Sequence, residues 1–226
     1  MRSEIQSKIE EILETAESAF DRAVEEIIND INQNLIKNSE WFESTSSYIK
    51  AADETYQLEL EAAEEDRYIE PPVTCMEYIS YVSENNGAKY LEKSWNEELL
   101  ALYEMKIIYS YKQLEITLKK FLLALDPDFD IASLYRWEHI KVAMKSHNIS
   151  IGSSSNYTFA IHLKDVNNAL KHSVEIDSNV DKHNIKEFKN SETFTKDSLE
   201  AFYSRILPKI NDFIRDLGKD ILDKNA

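Results

Sequence analysis

The stretch Tyr157-Thr158-Phe159-Ala160-Ile161-His162-Leu163-Lys164-Asp165-Val166-Asn167-Asn168-Ala169-Leu170-Lys171-His172 decides the fold class, because its polar and apolar residues separate only when wound at the helical repeat. Phe159, Leu163, Val166 and Leu170 recur at steps of four, three and four, a single apolar stripe suited to a core. At about 100° per residue, Lys164, Asn168 and Lys171 fall within about a fifth of a turn of one another on the other face, with Asp165 and His172 beside them. Ile161 lies on the polar side as well. An apolar residue among polar ones predicts that this face is partly covered, by another subunit.

The rest of the chain agrees with a helical reading. Glycine occurs three times and proline four times in 226 residues, which leaves few residues for hairpins and tight turns but keeps helices intact. Ser3 and Gln6 suit a capping box, and Ile5, Ile9, Ile12, Ala16, Ala19 and Ala23 continue in heptad-like steps through Ile27, Ile31 and Leu35, predicting one helix of roughly 33 residues, about 50 Å long. A second helix is expected from about Thr45 to Asp66, ended by Pro71-Pro72, and the two would fold back as a hairpin. Met76, Ile79 and Val82 suggest a short helix broken at Asn85-Asn86-Gly87. A long helix from Ala88 to Leu125 follows, stopped by Asp126-Pro127, and another spans Leu134 to Met144, ahead of Asn148. Ser173 to Thr193 reads as polar and poorly periodic. A last helix begins near Thr195 and is expected to kink at Pro208.

Charge divides the chain. Residues 1–72 carry 19 acidic against 6 basic side chains, a net of −13, while the remainder nets −3. The expected organisation is therefore an acidic helical hairpin arm over residues 1–72 and a helical body over 73–226. A strongly negative surface repels a phosphate backbone, so RNA contact is expected to be weak and confined to the body. Cys75 is the sole cysteine, and no run approaches the roughly 20 apolar residues of a membrane span, so a cytoplasmic protein without membrane attachment is expected.

From Ser110 to His172 the chain resembles the HEPN family (higher eukaryotes and prokaryotes nucleotide-binding) of small helical domains, frequent in bacterial toxin, abortive-infection and antiviral systems. The resemblance rests on Glu115 and Lys119 in Leu114-Glu115-x-x-Leu118-Lys119, on Trp137 opening the next helix, and on Asn167-Asn168-Ala169-Leu170-Lys171-His172 closing the third. It implies an all-α fold, a HEPN-like four-helix bundle whose fourth helix starts at Thr195, following the N-terminal acidic hairpin. Active members are metal-independent ribonucleases in which an arginine shortly before a histidine helps two subunits build one site. His172 matches the histidine, whereas Asp165, Val166 and Asn167 fill the spacings that the arginine would take.

The resemblance thus implies a dimeric interaction module of defence or toxin–antitoxin type with weak or absent nuclease activity. If RNA is cleaved, His172 is the general acid or base, Lys164 and Lys171 offset charge on the phosphorane, Asn168 positions it, and Asn167, Glu115 and Lys119 support the site. A third reading, a coiled-coil adaptor, places function in Ile5 to Leu35, where the acidic helices would meet a protein partner. No metal or cofactor is expected: His139, His147, His162 and His183 show no i, i+4 pairing and read as solvated or core-edge side chains.

Overall fold

The computed structural model describes residues 2–15, 19–66, 75–134, 136–172, 176 and 178–224. Seven α-helices occupy them: α1 (Arg2–Glu14), α2 (Ala19–Asp66), α3 (Cys75–Leu125), α4 (Trp137–Ser146), α5 (Tyr157–His172), α6 (Ser178–Lys182) and α7 (Lys196–Lys224). Short 3-10 turns at Ile131–Ser133 and Ile151–Ser153 precede α4 and α5, and no β-strand occurs among the described residues. The all-α class inferred from scarce glycine and proline is the class observed.

The compact units are residues 1–24 with 100–226, and residues 25–99, a division different from the expected one at residue 72. The charge step and Pro71-Pro72 record composition, whereas packing follows buried side chains. In the first unit, α1 lies on α7. Ile9 is fully buried, and a β-carbon added at Gly218 would come within 3.3 Å of Leu13 and 3.6 Å of Ile9, so the absent side chain is what lets the two helices approach. The expected continuous helix to Leu35 ends instead at Glu14. There the Thr15 hydroxyl takes up the Glu11 and Ile12 carbonyls at 2.9 and 3.3 Å. Ala16, also in that expected helix, lies outside the described residues.

In the second unit, α2 runs unbroken where two helices were expected. Its serines and threonines bond back to carbonyls of the preceding turn, Ser47 to Ser44 and Thr55 to Ala51, so their competing hydrogen bonds are absorbed within the helix. α3 likewise passes through Asn85-Asn86-Gly87 without a break. Gly87 has no positive φ, and Asn38 of α2 donates to the Ala88 carbonyl at 3.1 Å, so tertiary packing outweighs the local stop signal. Lys89 also places its ammonium 5.8 Å from the Phe42 ring centroid. Pro71-Pro72 lies outside the described residues.

The first unit holds the larger core. Leu114, Leu118 and Phe121 of α3, Ile140 and Met144 of α4, Leu163 and Val166 of α5, and Phe202 and Phe213 of α7 are all buried. Lys106 of α3 is buried too, its ammonium 4.1 Å from the Tyr203 ring centroid of α7. α4 closes on Asn148 at φ 62°, the left-handed conformation that asparagine tolerates after a helix, as the sequence led one to expect. α7 opens with reciprocal bonds: Thr195 Oγ1 accepts from the Ser198 N–H at 3.2 Å and Ser198 Oγ from the Thr195 N–H at 3.0 Å. α7 continues through Pro208, since Pro208 and Ser204, whose carbonyl loses its intrahelical donor, are both exposed to solvent. Residues 178–193 are not merely polar: Val180, Ile185 and Phe188 are buried and fold this stretch back onto the helices, and residues 173–175 and 177 lie outside the described residues.

Candidate functional site

α5 is the element that positions the chemistry, and its amphipathic winding sorts the expected site residues. Leu163 and Val166 are buried and Phe159 and Leu170 half-buried, as the apolar stripe requires. On the opposite side Asn168, Lys171 and His172 are exposed, and Ile161, two turns before Asn168 on the same face, is half-buried. Lys164 joins this strip, yet its ammonium is 3.2 Å from Asp165 Oδ1. Eight residues of helix separate Lys164 from His172, roughly 12 Å along the axis, so of the two lysines Lys171 is the one near the histidine.

Two of the sequence assignments change sides. Asp165, read as part of the polar face, is buried; Asn167, read as supporting the site, is fully buried. Asn167 Nδ2 donates to Asn168 Oδ1 at 3.1 Å, and its own Oδ1 is buried without a protein partner among the described residues. The physical reason is the width of the covered arc: elements on both flanks of α5 reach beyond the apolar stripe.

On one flank stands α3. Glu115 is half-buried and accepts a hydrogen bond from the Tyr111 hydroxyl. Burial pushes the Tyr111 phenol well above its ordinary range, and the nearby carboxylates of Glu115 and Asp165 push it further in the same direction. The Lys171 ammonium lies 6.0 Å from the Tyr111 ring centroid, so α3 touches the strip through this tyrosine. Lys119, one turn past Glu115, is half-buried on α3. Trp137 packs beside Tyr111 at 6.4 Å between ring centroids and stacks on Tyr157 at 6.5 Å, which fixes the start of α5.

The other flank holds a cluster that sequence reasoning missed. His183 Nε2 lies 3.1 Å from Asp165 Oδ2, and the rings of His162 and His183 are 5.8 Å apart. Arg205 of α7 grips Glu187 through two bonds of 2.7 Å and lies over the rings of Phe159 and Phe202. Burial tends to raise the Glu187 carboxyl, but the Arg205 hydrogen bonds, helped by a backbone bond and the nearby cations, leave it below its usual value. His162 is held below the usual imidazole value by burial first, then by the charge of Arg205 and of His183. These five side chains, Asp165, His162, His183, Glu187 and Arg205, come from three separate stretches, so no spacing announces them. The available signal is Val180, Ile185 and Phe188, apolar residues in a polar tract that must fold back onto something.

No group of three or more His, Cys, Asp or Glu side chains among the described residues is arranged to hold a metal ion. No described helix is long and apolar enough to cross a membrane. Comparison with family models, with curated proteins and with solved structures finds no match for this chain.

Proposed function

We propose that the protein is a helical interaction module with weak or absent nuclease activity, a HEPN-like dimeric component of a bacterial defence or toxin–antitoxin system. The observation that carries this reading is where the apolar surface lies. Of the eight large apolar side chains that stand exposed among the described residues, six (Ile27, Ile36, Trp41, Leu58, Tyr90 and Leu91) belong to the unit of residues 25–99. Leu58 is 66% exposed and Tyr90 73%, on helices whose described buried apolar side chains are few. Long helices that leave large apolar groups exposed suit a protein partner, and their acidic surroundings favour a basic one.

The strip on α5 supports self-association in the same reading, since half-buried Ile161 shares a helix face with exposed Asn168 and Lys171. The same strip weighs against catalysis, because Lys164 is matched by Asp165 and Asn167 faces inward. One experiment addresses both. Sedimentation equilibrium is expected to give a dimer mass for the wild type and a monomer mass for the double variant Asn168→Asp, Lys171→Glu. RNA incubated with the dimer in chelator is expected to remain intact. A wild-type monomer, or an unaltered mass in the variant, overturns the dimer; cleavage that disappears in His172→Ala replaces the module with a metal-independent ribonuclease.

A further inference from the structure

We propose that His162 and His183 form a proton-operated latch, holding residues 178–194 against α5 while His162 is neutral and releasing them once both rings are charged. The argument starts from the acceptors. Asp165 Oδ1 meets Lys164 at 3.2 Å and Oδ2 meets His183 at 3.1 Å. Both Glu187 oxygens receive Arg205 at 2.7 Å, and Lys186 stands 3.7 Å from one of them. Among the described residues, the four oxygens of Asp165 and Glu187 are therefore all engaged, by groups on α5, on residues 183–187 and on α7.

His162 Nδ1 is buried and meets no hydrogen-bond partner among the described residues. A neutral imidazole can leave that nitrogen as a bare lone pair at little cost. A protonated one must bury an N–H with nothing to accept it, beside the Arg205 guanidinium. A proton on His183 faces Asp165 Oδ2, 3.1 Å from its Nε2. That same proton then places a cation on a ring 5.8 Å from His162. Two positive rings and Arg205 together find no unclaimed oxygen on Asp165 or Glu187, the carboxylates beside them among the described residues. Relief comes from moving residues 178–194, which carry His183 and Glu187, away from α5.

The sign follows from the protonation states. The folded latch binds fewer protons at His162 than the open chain does, so its stability is full above the ordinary imidazole value and falls as pH drops below about 6.5. Because α5 also presents the strip of Asn168, Lys171 and His172, acidification loosens the support beneath that surface. The latch does not depend on what the strip binds.

Hydrogen–deuterium exchange over peptides from residues 178–194, scaled for intrinsic rates, tests it on the full chain. Protection in the wild type is expected to fall by up to about tenfold, and by more than about threefold, between pH 7.5 and 5.5, and by less than about twofold in His162→Leu. An equal fall in the variant, or none in the wild type, overturns the latch. Titration of the wild-type histidine resonances by NMR gives a second reading that needs no variant: a His162 midpoint at or above about 6.5 also overturns it.

Discussion

Arg205 shows how much a single side chain contributes to this fold. Its guanidinium is planar and fits both Glu187 oxygens at 2.7 Å while its faces rest on Phe159 and Phe202, so charge, hydrogen bonding and packing coincide at one residue. Truncation to alanine strands a carboxylate that is almost wholly covered. Urea unfolding of Arg205→Ala at neutral pH is expected to show a loss of about 3 kcal/mol. Glu187 is held below its ordinary value in the folded protein, so this contribution is present above the unfolded carboxylate range and is lost as pH falls through the folded value. The gap between the wild type and the variant should accordingly narrow as pH falls below the ordinary carboxylate range, measured by the same unfolding curves; a gap that stays constant with pH would deny the ion pair its role. His172, by contrast, was legible from the sequence as an exposed helix-terminal histidine, and Asn167 was not legible as a buried one. Polar type alone cannot tell which side of α5 a neighbouring element will cover.

At the scale of elements, the boundaries that could be read from the sequence were those made by local chemistry. α4 ends before Asn148, α5 occupies the expected residues, and α7 begins with its Thr195–Ser198 capping bonds. The boundaries that could not be read depended on distant partners. Asn85-Asn86-Gly87 stays helical because Asn38 bonds at Ala88, and α1 ends at Glu14 with Ile9 and Leu13 committed to α7. Gly218 lies under Leu13 and Ile9, so a larger residue must push α1 outward. Gly218→Val is expected to lower stability by about 1–3 kcal/mol and to increase exchange in α1 selectively, whereas Gly218→Ala should be close to neutral, since better helix propensity offsets a slight clash. Hydrogen exchange of residues 2–14 checks this; unchanged protection in the valine variant would mean that α1 does not rely on the contact.

For the whole molecule, the all-α class was legible because scarcity of glycine and proline is a global property, and the helical repeat of α5 and α7 needs no partner to be seen. The division into residues 1–24 with 100–226 and residues 25–99 was not legible, since it depends on which apolar faces meet. Composition placed the boundary at the charge step, and the contacts placed α1 with the body. Ile9 and Leu13 meet a helix roughly two hundred residues later in the chain. During synthesis, which proceeds N-terminus first, α1 therefore leaves the ribosome long before its binding surface on α7 exists. Nascent chains arrested before residue 196 should display α1 to protease, and chains arrested well beyond residue 224 should not; equal protection at both lengths would contradict this. α1 thus waits while roughly two hundred further residues are translated, and any chaperone or partner that recognises it has that interval in which to act.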